Sequence, residues 1–331
     1  MLWVAETKQG DRMQTMKRRA AVVASGLSVL AVTAPAAWAA PSVSTGGVHS
    51  ITADAAKVFA TINPRGKPTT YYFEYGPTRR YGSRTPDANA GKATRNVNVS
   101  AAIGGLTPNT TYHYRVVASN PDGVTSGGDR SFKTKRLPLG LTVSATPNPV
   151  VFGAGTTVAG QLTGTGNAGK QVVLQQRAFP FTGAFANVGN AIVTDGNGAF
   201  SFAALALPAT TQVRAQTTDG KVTSPVATVG VAVRVETRVT TYRVHRGHRV
   251  RFSGVIHPGR EGALYAVQKL NRAGQWVTVA GGITHKGSGT FSGFSRRVRV
   301  RRGGQFRIFV RIVDGNFTSG IGRTVRIRVR R

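Results

Sequence analysis

Residues 106–123 read LTPNTTYHYRVVASNPDG, and the reading of this stretch decides the fold. It closes a series of alternating apolar runs that recur at roughly ten-residue spacing with turn residues between them, the pattern of short half-buried strands. Upstream lie Lys57-Val58-Phe59-Ala60-Thr61-Ile62, then Thr70-Tyr71-Tyr72-Phe73-Glu74-Tyr75, then Val97-Asn98-Val99-Ser100-Ala101. Asn63-Pro64-Arg65-Gly66 and Gly76-Pro77 supply turns between them. Long helical periodicity is absent after residue 40, and Val and Thr dominate the ordered stretches, so the fold class is all-β.

Within the opening stretch, Leu106-x-Pro108-x-Thr110-x-Tyr112, followed by Arg115-Val116 and Ala118-x-Asn120, closely resembles the fibronectin type III signature. The resemblance covers residues 42–134 and implies a β-sandwich. It also implies that Tyr112 is structural: the corner tyrosine, whose hydroxyl bonds back to the backbone. The strand B tryptophan common in animal versions is missing, and TTYYFEYG (69–76) is similar to versions in exported bacterial proteins. Six of the eight tyrosines fall in this region, at 71, 72, 75, 81, 112 and 114. Core packing and edge cover account for them better than an exposed ladder for stacking sugars.

Leu137-Pro138-Leu139 marks a junction, after which the chain repeats itself. Gly160-Gln161-Leu162 matches Gly254-Val255-Ile256, and Gly169 with Val172–Gln175 matches Gly262 with Ala266–Gln268. Gly198-Ala199-Phe200 matches Gly289-Thr290-Phe291, and Asp219-Gly220 with Thr223-Ser224 matches Asp314-Gly315 with Thr318-Ser319. Landmarks in one order at near-constant spacing mark an internal repeat. Each copy reads as a set of short strands with Asp-Gly suited to a tight hairpin, and so as an immunoglobulin-like sandwich. The last copy, with GHRVRFSG (247–254) and the terminal VRIRVRR (325–331), is similar to basic Ig-like repeats of exported proteins in GC-rich bacteria. The expected organisation is a leader at 1–39, a fibronectin type III-like domain at 42–134, and Ig-like sandwiches at 139–233 and 234–331, each with its own core.

Residues 16–40 set a basic start (Lys17, Arg18, Arg19) before an uncharged run that ends at Pro35 and Ala37-Trp38-Ala39. This is the layout of a secretory signal peptide beginning at Met16 and cleaved after Ala39. The expected location is therefore secreted, extracellular or associated with the cell envelope, with no transmembrane segment in the mature chain. Cysteine is absent, which excludes disulfides, thiolate metal sites and Cys nucleophiles.

Catalytic groups are sparse. His245-x-x-His248 is the single close histidine pair, and on a strand that spacing sends the two rings to opposite faces. Asp195-Gly196-Asn197-Gly198 supplies one carboxylate rather than the several of a calcium loop and reads as a hairpin turn. Neither a GxSxG elbow nor a Gly-rich phosphate loop occurs, so no enzyme, cofactor or metal is expected.

The unusual feature is charge. The formal net charge is +32, and residues 234–331 hold 22 of the 44 basic residues but 3 of the 12 acidic ones. That surplus of 19 far exceeds the magnitude of about 2–8 usual for a small domain. The arginines alternate with aliphatic residues: Arg249 and Arg251; Arg297, Arg299 and Arg301; Arg307 and Arg311; Arg326, Arg328 and Arg330. Strand geometry then gives one aliphatic and one cationic face. With the 249–252 and 297–301 runs in one sheet and 306–312 and 323–330 in the other, both outer faces are positive. Two readings stay open. In one, GC-rich coding puts arginine wherever a solvated position needs a polar residue, and edge arginines resist aggregation. In the other, these ten arginines bind a polyanion, such as anionic envelope polymer, extracellular polysaccharide or nucleic acid. The function expected is a non-catalytic structural or adhesive protein whose basic end anchors it. The alternatives are a dedicated polyanion- or polysaccharide-binding protein and an accessory module of a separate hydrolase.

Overall fold

A computed structural model describes residues 39–330, so all but Ala39 of the leader falls outside the described residues. The fold is all-β. In the first part, strands β1 (Ser42–His49), β2 (Ala56–Asn63) and β4 (Val97–Ile103) form one sheet. The facing sheet is built on β3 (Thr69–Gly76), β5 (Thr111–Asn120) and β6 (Arg130–Lys133). Alternation puts Val58, Ile62 and Ile103 from one sheet against Phe73, Tyr114, Val116 and Phe132 from the other. None of the six tyrosines is fully exposed; Tyr71, Tyr112 and Tyr114 are buried. The Tyr112 hydroxyl accepts a hydrogen bond from the Thr107 N–H at 3.0 Å, tying the chain entering β5 to that strand.

The middle part pairs sheet β7 (Gly140–Thr146), β8 (Gly155–Thr163), β11 (Ala199–Ala206) with sheet β10 (Ala186–Val193), β9 (Gln171–Ala178), β12 (Thr211–Thr217). The last part repeats the plan. Its first sheet runs β13 (Arg234–Val239), β15 (Arg249–His257), β18 (Ser292–Arg299). Its second runs β14 (Arg243–His245), β20 (Val325–Arg330), β19 (Gly304–Arg311), β16 (Leu264–Leu270), β17 (Trp276–Ile283). Both parts share a parallel pairing near their start, Val150 with Val231 and Val244 with Val329.

The repeat extends to interior detail. Gly160 faces Phe200 across a strand pair, and Gly254 faces Phe294. Each ring lies over the bare glycine, and a Cβ there would overlap the carbonyl oxygen of Thr142 or Glu236 on the other neighbouring strand. Both pairs are 94 residues apart. The sequence match of Phe200 to Phe291 is therefore corrected to Phe294: cross-strand pairing, not the local Gly-x-Phe pattern, fixes the equivalence. Phe291 instead packs its ring 6.0 Å from that of His257. Other matched details follow. The Thr194 and Thr284 hydroxyls accept from the N–H groups of Lys170 and Ala263 and donate to the carbonyls of Asn167 and Arg260.

The two junctions differ. Lys135 still hydrogen-bonds to Thr52, and Leu137 already bonds to Thr165, leaving Arg136 between them. Among the described residues no backbone hydrogen bond or ring–ring contact crosses from 39–136 to 137–330. The second junction is packed. The Thr318 N–H donates to the Val231 carbonyl at 2.8 Å, Val233 N–H donates to Thr318, and Thr210 N–H donates to Asn316. Phe317 meets Phe152 edge-on at 5.9 Å. The expectation of separate cores thus fails here: one hydrophobic cluster runs from Leu141 to Ile327. The cause is the segment after the Asp314-Gly315 turn: the turn itself is exposed, like its counterpart Asp219-Gly220, but Phe317 beyond it is buried against the middle part.

Candidate polyanion-binding surface

Strand β15 projects Arg249 and Arg251 outward while Val250 and Phe252 are buried, and β18 projects Arg297 and Arg299 around buried Val298. The register pairs Arg249 with Arg299 and Arg251 with Arg297 directly across the strands. Side chains so paired start about 5 Å apart at Cβ, and like charges there cost stability. Arg249, Arg251, Arg297 and Thr240 line one shallow depression of about 320 Å³. The second sheet adds Arg326, Arg328 and Arg330, all exposed, with Arg328 beside Arg243 and Arg330 beside His245.

Among the described residues none of the ten candidate arginines forms an ion pair with a carboxylate. Two of the three acids of this part are engaged elsewhere. Glu236 lies 3.5 Å from Arg234 and 3.7 Å from His257, and Asp314 lies 2.8 Å from Arg260. Burial alone would raise the Asp314 carboxyl. Hydrogen bonds from the Phe317 N–H and Arg260, with the Arg260 charge, outweigh it and hold the group below the usual carboxylate range.

Strand direction sorts the candidates. Strand β15 starts, β18 ends, β19 starts and β20 ends at the side away from the middle part, which holds the turns at 246–248, 271–274 and 300–303. Arg249, Arg251, Arg297, Arg299, Arg301, Arg328 and Arg330 cluster toward this far end. Arg311 does not; it lies at the near end beside Asp314. Arg307 is held differently. Its Nε donates to Gln268 at 2.9 Å and its guanidinium stacks 4.3 Å from Trp276. Arg214 of the middle part repeats this with Gln175 and Phe185. Since the weakly charged copy keeps the same arrangement, Arg307 serves the framework, and burial pushes its guanidinium below its ordinary value.

Arg246, Arg272, Arg302 and Lys269 also lie at the far end and are not among the ten candidates. They sit in turns or at a strand end, where no alternation marks them. The His245–His248 pair is corrected too. Gly247, at φ +86°, turns the chain there, and the rings stand 5.9 Å apart rather than on opposite faces. Among the described residues no group of three or more His, Asp or Glu is placed to hold a metal. Asp195 accepts the N–H groups of Asn197 and Ala199, as a hairpin turn requires.

One further polar cluster lies in the first part. Asp129 accepts from the Tyr81 hydroxyl at 3.0 Å, meets His113 Nδ1 at 2.9 Å and pairs with Arg79 at 3.3 Å. Arg115, hydrogen-bonded to Glu74, stacks 4.9 Å from Tyr81. These contacts pin the loop after β3 to β5. No helix among the described residues is long and apolar enough to cross a membrane.

No family model matches the chain, and no curated protein matches it. Among solved structures, the sensor domain of the anti-sigma factor RsgI4 from Pseudobacteroides cellulosolvens is 20% identical, over 29% of this chain and 94% of that one, with a TM-score of 0.24. The FN1-FN3 domains of chicken CNTN1 are 15% identical over 87% of this chain and 99% of theirs, with a TM-score of 0.29. A tetra-tandem repeat in the extending region of a large adhesion protein is 15% identical over 87% of this chain and 74% of that one, with a TM-score of 0.27. Superpositions this loose carry no argument about function, which rests on the chain's own geometry.

Proposed function

We propose that this is an exported, non-catalytic structural or adhesive protein of three sandwich units, at 42–134, 139–233 and 234–331, whose third unit anchors it to anionic polymer. The observation that carries the reading is the facing of Arg249 on Arg299 and Arg251 on Arg297 without a carboxylate beside them. Counting back 94 residues along β15 puts Gly155 and Thr157 of the middle unit at the places of Arg249 and Arg251. The fold therefore does not need arginine there. Coding bias alone would be expected to load both copies. Arginines fixed on strands displace counterions from a polyanion with little further ordering cost, which makes binding steep in salt. The leader sequence supports export.

The test is retention of the whole chain on heparin resin at about 0.1 M salt, where charges still interact over roughly 10 Å. Retention is expected, together with binding to duplex DNA. Replacing Arg249, Arg251, Arg297 and Arg299 by Gln should flatten the slope of log affinity against log salt by about 3.6 if each meets a phosphate. Passage of the unaltered chain through the resin without delay refutes the anchor.

A further inference from the structure

The far end of the third unit holds more than a charged surface. Between β17 and β18, where the two sheets part, lie two adjoining depressions of about 440 and 640 Å³ that share Lys269, Val279 and Arg302. Arg246, Arg299, Arg301 and Arg302 stand around the first, and Arg272 lines the second. None of the lining residues is acidic. The three carboxylates of this unit line depressions elsewhere, Glu236 on the outer face of the first sheet and Glu261 with Asp314 at the near end.

Lys269 is the telling residue. Its ammonium lies 5.5 Å from the Phe306 ring centroid and donates to the Arg302 carbonyl at 2.8 Å, so it is turned inward without a carboxylate. Burial, with the Arg302 charge adding to it, pulls its pKa below the ordinary lysine value. An anion seated there would reverse that penalty. Part of the lining is apolar. Val277 and Val279 on β17 are 45% and 44% exposed, and Val298 and Phe306 lie behind. A bare polyanion would satisfy the cations and leave those valines wet. A ligand with an anionic head and an apolar chain would satisfy both.

We propose that this cleft binds a single anionic amphiphile, its phosphate-like head between Arg246, Lys269 and Arg302 and its aliphatic chain along Val277 and Val279. The site extends the anchoring function from polymer to lipid-like anions; it rests on the same cationic end as that reading but on a different property of it. Charge complementarity places the head, and the exposed valines place the tail.

Calorimetric titration of the whole chain tests it with three probes: dodecyl phosphate below its micelle concentration, inorganic phosphate and dodecyl maltoside. Dodecyl phosphate should bind at least about tenfold more tightly than either of the others, since each buried methylene adds severalfold in affinity. Arg246→Gln with Arg302→Gln should remove most of that binding. Val279→Thr, an exposed near-isosteric change that leaves folding intact, should weaken dodecyl phosphate and leave inorganic phosphate unchanged. Dodecyl phosphate no tighter than inorganic phosphate overturns the proposal, as does insensitivity to Val279→Thr. Heparin retention in the same preparation separates the outcomes: retained protein that fails to prefer dodecyl phosphate refutes the cleft alone, and unretained protein refutes the polymer anchor.

Discussion

The middle and last units share an interior and differ in what they show to solvent. Both lay a phenylalanine over a bare glycine, Phe200 on Gly160 and Phe294 on Gly254. Both hold a glutamine and a stacked arginine on the second sheet, Gln175 with Arg214 and Gln268 with Arg307. Yet the charge surplus is 2 in residues 139–233 and 19 in 234–331. One framework thus carries two surfaces, and the difference separates what the fold requires from what it tolerates. Facing arginines belong to the second class, since the copy without them folds on the same plan.

The most damaging change should be at the shared junction. Phe317 is 5% exposed and fills the space beside Phe152. Phe317→Ala should cost about 3–5 kcal/mol, as for a buried aromatic. Because one cluster spans both units, calorimetry should show the middle and last units melting as one transition in the wild type. Phe317→Ala should lower that transition or split it in two. Two independent transitions already present in the wild type would contradict the packed junction.

Next in size are the matched glycines. Gly160→Ala and Gly254→Ala each drive a methyl into a neighbouring strand's backbone, and overpacking of this kind costs typically about 1–3 kcal/mol. Similar losses at the two sites, read from denaturant midpoints, would support equivalence of the interiors. A loss at one site only would break it.

Much of this was legible in the sequence. Alternation located the strands, and like-with-like landmarks exposed the repeat. Three things were not legible, for physical reasons. The equivalence of Phe200 with Phe294 is set by hydrogen-bonded register, and register is a property of two strands rather than of one. The packed junction depends on Phe317 meeting Phe152, although Phe317 follows a turn as exposed as its counterpart Asp219-Gly220. The cleft residues Arg246, Arg272 and Arg302 come from separate turns that only the closed sandwich brings to one end. Strand arginines were found because they follow a period of two; turn arginines follow none.

The first unit serves as the outside reference for the comparison. Tyr112→Phe keeps the ring against Phe132 and deletes the acceptor for the Thr107 N–H. One lost hydrogen bond should cost about 0.5–1.5 kcal/mol. The transition of the first unit should fall while the joint transition of the other two stays in place, because among the described residues no backbone hydrogen bond crosses Arg136. A shift in both transitions would mean that the first junction transmits stability after all.

The smallest effect is the most diagnostic, because its sign opposes the usual one. Most substitutions destabilise. Arg251→Gln with Arg297→Gln removes a facing pair of like charges on exposed strand positions and leaves Val250, Phe252 and Val298 packed. Relief of the repulsion should stabilise the unit by roughly 0.2–1 kcal/mol at low ionic strength. The gain should shrink as salt is added, since screening already weakens the repulsion in the wild type. Heparin elution should move the other way, to lower salt, because two counterion-releasing contacts are gone. Stability rising while binding falls would identify these arginines as groups kept against the interest of the fold. If the double variant instead loses stability and binds heparin as before, the arginines are part of the framework, and the difference between the two units is one of composition alone.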